Sequence, residues 1–364
     1  MRAAIVDCFD VYDRRAKLLQ DILQGEGYQV SVLISDLRHI QRCRRETCPQ
    51  GWEMIPVRTY TWKYSLSRIR SHIQFSREAL ARVEELGPDL LWVIAPPNSL
   101  VKGAAAYKRG HPQVRLIVDL MDLWPESLPV PVLGGTPPGR SWRRLRDGHL
   151  ADADALVIGE ERFRETVQAS CPGRRIDTLY LARDLGFRRL SGHPPRDRLA
   201  FCCLTDSGGT VDLRTIGGLL RGLGCPAELH VIGREPPTLR GAVGAAGVDI
   251  VPHGRIDQAK RRWEIYDRCH FGLNLMEEDA PASSPCMDYL RASLPTINNV
   301  PGDIWELIEQ HPVGLNYREG AQITVPKLLA LQSRREQIQA IYDTYFLERT
   351  FALCARDVIR GHAG

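Results

Sequence analysis

Two acidic segments and one glycine turn are the stretches of this chain whose residue types and spacing suit chemistry. Asp119-Leu120-Met121-Asp122-Leu123-Trp124-Pro125-Glu126 follows the apolar run Leu116-Ile117-Val118, so Asp122 stands just beyond a strand end. A carboxylate there can orient a hydroxyl or steady positive charge, or it can simply cap the turn. Pro125 holds Trp124 in extended geometry, which keeps the chain from entering a helix at once. Glu277-Glu278-Asp279 precedes a run of Ala, Pro and Ser ending at Ser284-Pro285, and Asp288 follows. Three acids before prolines suit a solvated loop as well as a site. Ser207-Gly208-Gly209-Thr210 offers hydroxyls and small residues that let backbone N–H groups cradle phosphate oxygens, although a plain tight turn explains it equally well. Asp288 can accept from both hydroxyls of a diol, or serve as a helix-start acid favoured by the macrodipole. Asp152-Ala153-Asp154 precedes a strand and reads as a turn, so no metal motif is found.

The elements that must position these residues alternate along the whole chain. Apolar runs at Ala3 to Val6, Val30 to Ile34, Leu90 to Ile94, Leu116 to Val118 and Ala155 to Ile158 read as strands. Between them, Leu18, Leu19, Ile22 and Leu23 share one helix face, closed by Gly25 and Gly27, and Tyr64 to Leu86 reads as a long helix. The alternation restarts with Leu199 to Leu204, Leu229 to Gly233, Val248 to Val251, Phe271 to Leu275 and Thr296-Ile297. This is the pattern of parallel α/β folding, twice over. The Arg-, Gly- and Pro-rich stretch from Asp184 to Arg198 predicts a linker. Open α/β sheets place ligands at the carboxyl ends of their strands, which gathers the loops after Leu204, Ile232, Val251 and Leu275 around one cleft. Ile341 to Ile359 reads as one closing helix.

Composition removes several classes. A chain of 364 residues suits two domains. No apolar run approaches the ~20 residues of a membrane span, and the first residues read as a strand rather than a leader peptide. Ten scattered cysteines include no C-x-x-C pair and suit buried thiols in a reducing compartment. A net charge of +4 is too slight to argue for nucleic acid. Two basic clusters, Gln41-Arg42-Cys43-Arg44-Arg45 and Trp142-Arg143-Arg144-Leu145-Arg146, read as solvated surface or as contacts for anionic lipid or phosphate.

Read in order, the motifs resemble the bacterial group-1 retaining glycosyltransferases of the GT-B fold. The resemblance rests on Ser67 to His72, on Pro88 to Val93 followed by Ala95-Pro96-Pro97, and on Asp119 to Ser127, whose Asp-Leu-Trp-Pro-Glu is the most specific match. In the second half it rests on His230-Val231-Ile232-Gly233, Val251 to Ile256 and Asp288 to Ile297. It implies two facing Rossmann-like domains: residues 1–183 for the acceptor, 184–345 for a nucleotide-sugar donor, and a helix over 346–364 returning to the first domain.

The same resemblance implies roles. Asp122, with Glu278 or Asp279, falls in catalytic positions; strict family spacing lands on Ala280, so one of those acids must substitute. Ser207, Gly208, Gly209, Arg234, Arg255, Ser284 and Asp288 fall on the donor side, with Asp288 in the place of a ribose-binding glutamate. The usual diphosphate-binding Arg and Lys are missing from Thr205 to Arg214 apart from Arg214, which leaves Arg234 or Arg255 to reach the phosphates. The usual glycine loop of the first domain is replaced by Asp10-Val11-Tyr12-Asp13-Arg14-Arg15, placing Asp10, Tyr12, Arg14 and Arg15 toward the acceptor. The implied reaction needs no metal and no cofactor, the nucleotide sugar (preferably UDP-linked) being a substrate. The acceptor would be a glycan, a lipid-linked saccharide or a small molecule. The expected location is the cytoplasm, with peripheral contact at the inner face of the membrane as a variant. A GT-B sugar-nucleotide epimerase and a catalytically silent GT-B protein supporting a partner transferase are the rival readings.

Overall fold

A computed structural model of the chain describes residues 1–39, 42–62, 65–126, 135–182, 194–205, 211–244, 247–277, 284–318 and 320–361. Its contacts divide into two units, Met1–Ala182 with Glu348–Gly364, and Arg183–Leu347. Most of the predicted linker, residues 183–193, lies outside the described residues.

In the first unit the strands in chain order are β1 (Arg2–Asp7), β2 (Gln29–Ser35), the short pair β3 (Leu37–Arg38) and β4 (Cys43–Arg44), β5 (Trp52–Ile55), β6 (Leu90–Ala95), β7 (Arg115–Leu120), β8 (Ala155–Ile158) and β9 (Ile176–Thr178). Among the described residues seven of them form a parallel sheet in the order β5-β2-β1-β6-β7-β8-β9. Leu90 to Ala95 is buried throughout because helices cover both faces, which is why β6 reads as an unbroken apolar run. The helices here are α1 (Asp13–Gly25), α2 (Leu66–Leu86), α3 (Asn98–Gly110), α4 (Pro137–Asp147) and α5 (Arg164–Ser170). Ser65 caps α2 by accepting from the Arg68 N–H, and Gly87 ends it in the left-handed region at φ 52°. The order turns back between β1 and β6, so the switch point lies beyond Asp7 and Ala95.

In the second unit the strands are β10 (Leu199–Leu204), β11 (Ala227–Ile232), β12 (Val248–Gly254), β13 (Phe271–Asn274), β14 (Thr296–Asn298) and β15 (Gly314–Asn316). They form a second parallel sheet, β12-β11-β10-β13-β14-β15. Its helices are α6 (Leu213–Leu223), α7 (Leu239–Val243), α8 (Ala259–Tyr266), α9 (Ser284–Arg291), α10 (Asp303–Gln310), α11 (Val325–Gln332) and α12 (Arg335–Tyr345). Here the switch point lies between β10 and β13.

The closing segment corrects an expectation. Ile341 to Ile359 is two helices, α12 and α13 (Glu348–Arg360), and they belong to different units. Phe346 is buried beside Tyr342 and Tyr345 in the second unit, whereas Phe351, Ala355, Val358 and Ile359 join the core of the first. Two apolar cores claim residues of one stretch, and the chain breaks between them. Arg360 then holds Glu26 at the end of α1 through two 2.9 Å bonds. Among the described residues no helix is long and apolar enough to cross a membrane.

Candidate functional site

In the first unit the chain leaves β7 through Asp122, whose carboxylate is occupied locally. Oδ1 accepts from the Leu123 N–H at 2.9 Å, and Oδ2 accepts from the Trp124 indole N–H at 2.7 Å. The half-buried Asp122 therefore shapes the turn and aims Trp124, with lone pairs left over for an incoming hydroxyl. Tyr12 comes close enough for Asp122 to act on it. Burial first, then the charges of Asp122, Asp7 and Glu160, raise the Tyr12 phenol well above its ordinary value. Asp10 opens the short turn Asp10–Tyr12 and accepts the His39 backbone N–H at 3.0 Å, tying the end of β1 to the segment after β2.

One residue of that loop, Arg15, corrects the acceptor assignment. Arg15 is fully buried; its guanidinium makes a two-point ion pair with Asp119, and Nη1 donates to the Leu179 carbonyl at 2.8 Å. No acceptor can meet it there. Arg14 is turned toward Glu348 of α13 and the Ala182 carbonyl. Both arginines, in the first turn of α1, tie that helix to other segments of the unit, with 39% of the Arg14 side chain left exposed.

The structure gathers a cluster that the sequence reading passed over. Phe9, His39, Tyr60, His72, Trp124 and Trp142 pack ring against ring, with His72 stacked on Trp124 at 5.6 Å and Phe9 edge-on to Trp124 at 5.3 Å. The Arg68 guanidinium lies over the Trp124 ring at 4.9 Å. His39 reaches the Tyr60 hydroxyl at 2.8 Å, Ser35 Oγ at 3.3 Å and Cys8 Sγ at 3.5 Å. Burial pushes His39 down to about 3, helped by the Arg68 and Arg45 charges, and pushes His72 well below its ordinary value. Asp7, fully buried at the switch point, is pushed up by the same cause and leaves Oδ2 without a hydrogen-bond partner. The signal available in sequence was the i, i+4 pair Arg68 and His72 on one face of a helix.

In the second unit, Gly272 admits the ring of Tyr289. A Cβ at Gly272 would lie 2.3 Å from that ring, so only glycine lets α9 settle on β13. The Tyr289 hydroxyl then accepts the Leu204 N–H at 3.1 Å at the end of β10. Asp288, one residue earlier, pairs with Arg262 of α8 at 2.9 Å and is nearly buried. That carboxylate is therefore already engaged by Arg262. Asn274, Asn298 and Asn316 stand in register on β13, β14 and β15 and form a side-chain ladder, with bonds of 2.7 and 3.0 Å. Asn299 clamps the Met276 backbone on both sides, at 2.8 and 2.9 Å. This ladder fixes the strand ends from which the Glu277 loop departs, and nothing in the sequence reading singled it out.

Glu278, Asp279, Ser207, Gly208 and Gly209 lie outside the described residues. Ser284 opens α9, and its side chain is likewise outside them. Arg234 is exposed just after Gly233, which bends at φ 112°, and its carbonyl accepts from Thr205 Oγ1. Arg255 is solvent-exposed beside Asp257 at 3.1 Å. Asp152 and Asp154 form the predicted turn and are held by Arg109 and Lys108.

In each of the two basic clusters one arginine departs from the expected surface position. Arg45 is buried in a two-point pair with Asp13, and Arg146 is buried against Glu126 and Asp147. Each cluster spends its innermost arginine inside the unit, while Arg42, Arg44 and Arg144 stay exposed to solvent.

Neither a protein-family profile nor a curated protein sequence matches the chain. Solved structures do. Sucrose-phosphate synthase from Thermosynechococcus elongatus is similar with a TM-score of 0.63 at 13% identity, over 99% of this chain and 98% of that one. HepE of Anabaena in complex with UDP gives 0.62 at 14%, over 99% and 100%. The fold is GT-B. UDP-GlcNAc 2-epimerase from Neisseria meningitidis gives 0.57 at 9% identity, over 99% of this chain. At such identities the likeness carries the fold and no residue roles.

Proposed function

We propose that the chain is a glycosyltransferase that moves a sugar from a nucleoside diphosphate, with UDP as carrier, to a hydroxyl of a glycan, lipid-linked or small-molecule acceptor with retention. The observation that carries this reading is the end-to-end likeness to GT-B proteins, one of which holds UDP. The Asp-Leu-Trp-Pro sequence supports transfer over epimerisation through its resemblance to the transferases.

In the proposed reaction the donor's C1–O bond to the diphosphate breaks as the acceptor oxygen bonds to C1 on the same face. The departing diphosphate oxygen takes the acceptor proton, so the protein supplies positioning and charge stabilisation. Asp288 takes the ribose hydroxyls, and Arg234 or Arg255 meets the phosphates. Asp122 orients the acceptor hydroxyl, with Glu278 or Asp279 near the donor sugar. Neither a metal nor a cofactor has a part in this scheme. Titration calorimetry with UDP, GDP and the other nucleoside diphosphates tests it: one of them should bind, and the matching sugar donor should give a product whose anomeric proton coupling matches the donor.

The second reading is a catalytically silent GT-B protein, favoured by the Arg262–Asp288 pair that already occupies the ribose carboxylate. It predicts no nucleotide binding at all.

A further inference from the structure

We propose that the outer face of α2 docks the protein on an anionic lipid surface. Between Glu53 and Glu78 the chain carries no acid, yet it contains Arg58, Lys63, Arg68, Arg70 and Arg77. The structure sorts this stretch into two faces. Ser71, His72, Phe75, Ser76, Ala79 and Val83 turn inward against the sheet. Leu66, Arg70, Ile73 and Arg77 follow at steps of four, three and four residues, which keeps them on one narrow outward stripe about 16 Å long.

That stripe is costly to leave in water. Leu66 is 72% exposed and Ile73 50%, and Trp62, four residues ahead of the helix in sequence, is 71% exposed. These are three of the seven large hydrophobic side chains that stand exposed among the described residues. Arg58 and Arg70 are exposed beside them, as is Arg77, which pairs with its partly exposed neighbour Glu78. Leucine, isoleucine and an interfacial tryptophan interleaved with arginines are what a helix lying in a headgroup layer presents: the apolar side chains enter the acyl boundary while the guanidinium groups meet phosphates. A second copy of the chain is a poorer occupant, because a two-fold contact would bury Arg70 and Arg77 of both copies with no acid on the stripe to offset them. The stripe ends where the charge reverses, at Glu84 and Glu85. This docking does not depend on sugar transfer.

Flotation of the full chain with phosphatidylcholine vesicles, with and without phosphatidylglycerol, tests the proposal. The protein should float with the anionic vesicles and stay behind with the neutral ones. Arg70→Gln with Arg77→Gln should weaken anionic-vesicle binding by about fivefold per arginine, and added salt should do the same. Leu66→Ser with Ile73→Ser should cut it at least tenfold with an unchanged melting curve, since both positions are exposed. Trp62→Ser, outside the helix, gives the same readout should the double variant fail to fold. Failure of the parent to float, or flotation of the variants equal to the parent, overturns the proposal. So does a dimer in sedimentation that dissociates in the Leu66→Ser, Ile73→Ser variant.

Discussion

Arg15 and Asp119 form a fully buried two-point ion pair in the first unit, Nε to Oδ2 at 2.7 Å and Nη2 to Oδ1 at 2.9 Å. Trp92 donates to the same Oδ2 at 3.0 Å, and the guanidinium lies 5.1 Å from the ring centre of Phe351. One side chain of α1 thus joins β6, β7, the segment after β9 and α13.

Removing one member of such a pair strands a buried charge. Arg15→Met should lower unfolding stability by about 3–5 kcal/mol, measured by urea denaturation. Nucleotide affinity of the protein that remains folded should be unchanged. A fully stable Arg15→Met protein with a raised acceptor KM would return Arg15 to the acceptor.

Most strands of both sheets were legible in sequence as apolar runs: Leu90 to Ile94, buried on both faces, has no polar residue to confuse it with anything else. β5, β9 and β15 were not, being three or four residues long with Glu53, Asp177, Thr178 and Asn316 among them. The site was less legible than the fold. Asp10 to Arg15 reads as an exposed charged loop because arginines are rarely buried unpaired, and the partner that buries Arg15 lies 104 residues away. His39, Tyr60 and His72 are likewise ordinary in sequence, and only the packing of α2 against Trp124 brings them together. The asparagine ladder needs the register of three strands, which no local pattern carries.

Asp122→Asn separates turn-shaping from chemistry. An amide can accept only through its one oxygen, so it loses either the Leu123 or the Trp124 bond, at about 1 kcal/mol of stability. If Asp122 also holds the acceptor hydroxyl, kcat should fall at least tenfold, about 1.4 kcal/mol, with donor affinity kept. A stability loss with normal kcat would leave Asp122 as a turn residue.

His39 should make folding sensitive to acid. Its folded value is lowered to about 3 while the unfolded ring keeps its ordinary value of 6.5, so below that value the unfolded chain binds a proton that the folded chain refuses. The stabilisation is complete above 6.5 and is lost progressively as pH falls toward 3. The loss runs at up to about 1.4 kcal/mol per pH unit, roughly 2 kcal/mol between about pH 7 and pH 5. Denaturant curves for the parent and His39→Gln should differ in pH slope by this amount. Parallel slopes would mean that His39 titrates freely in the folded protein.

Asp288 and Arg262 offer the most direct test of the donor side. Their 2.9 Å pair is mostly shielded, with 23% of the Arg262 side chain and 11% of Asp288 exposed, so the carboxylate is already oriented by α8. Two roles remain open to it, and the variants separate them. If it receives ribose hydroxyls, Asp288→Ala should weaken nucleoside diphosphate binding by about 1–3 kcal/mol. Arg262→Met should weaken binding less, because the carboxylate stays in place while losing only its guide. Should the pair instead serve only to join α8 to α9, both variants would lose stability to a similar degree, and calorimetry would return the parent's affinity for each of them.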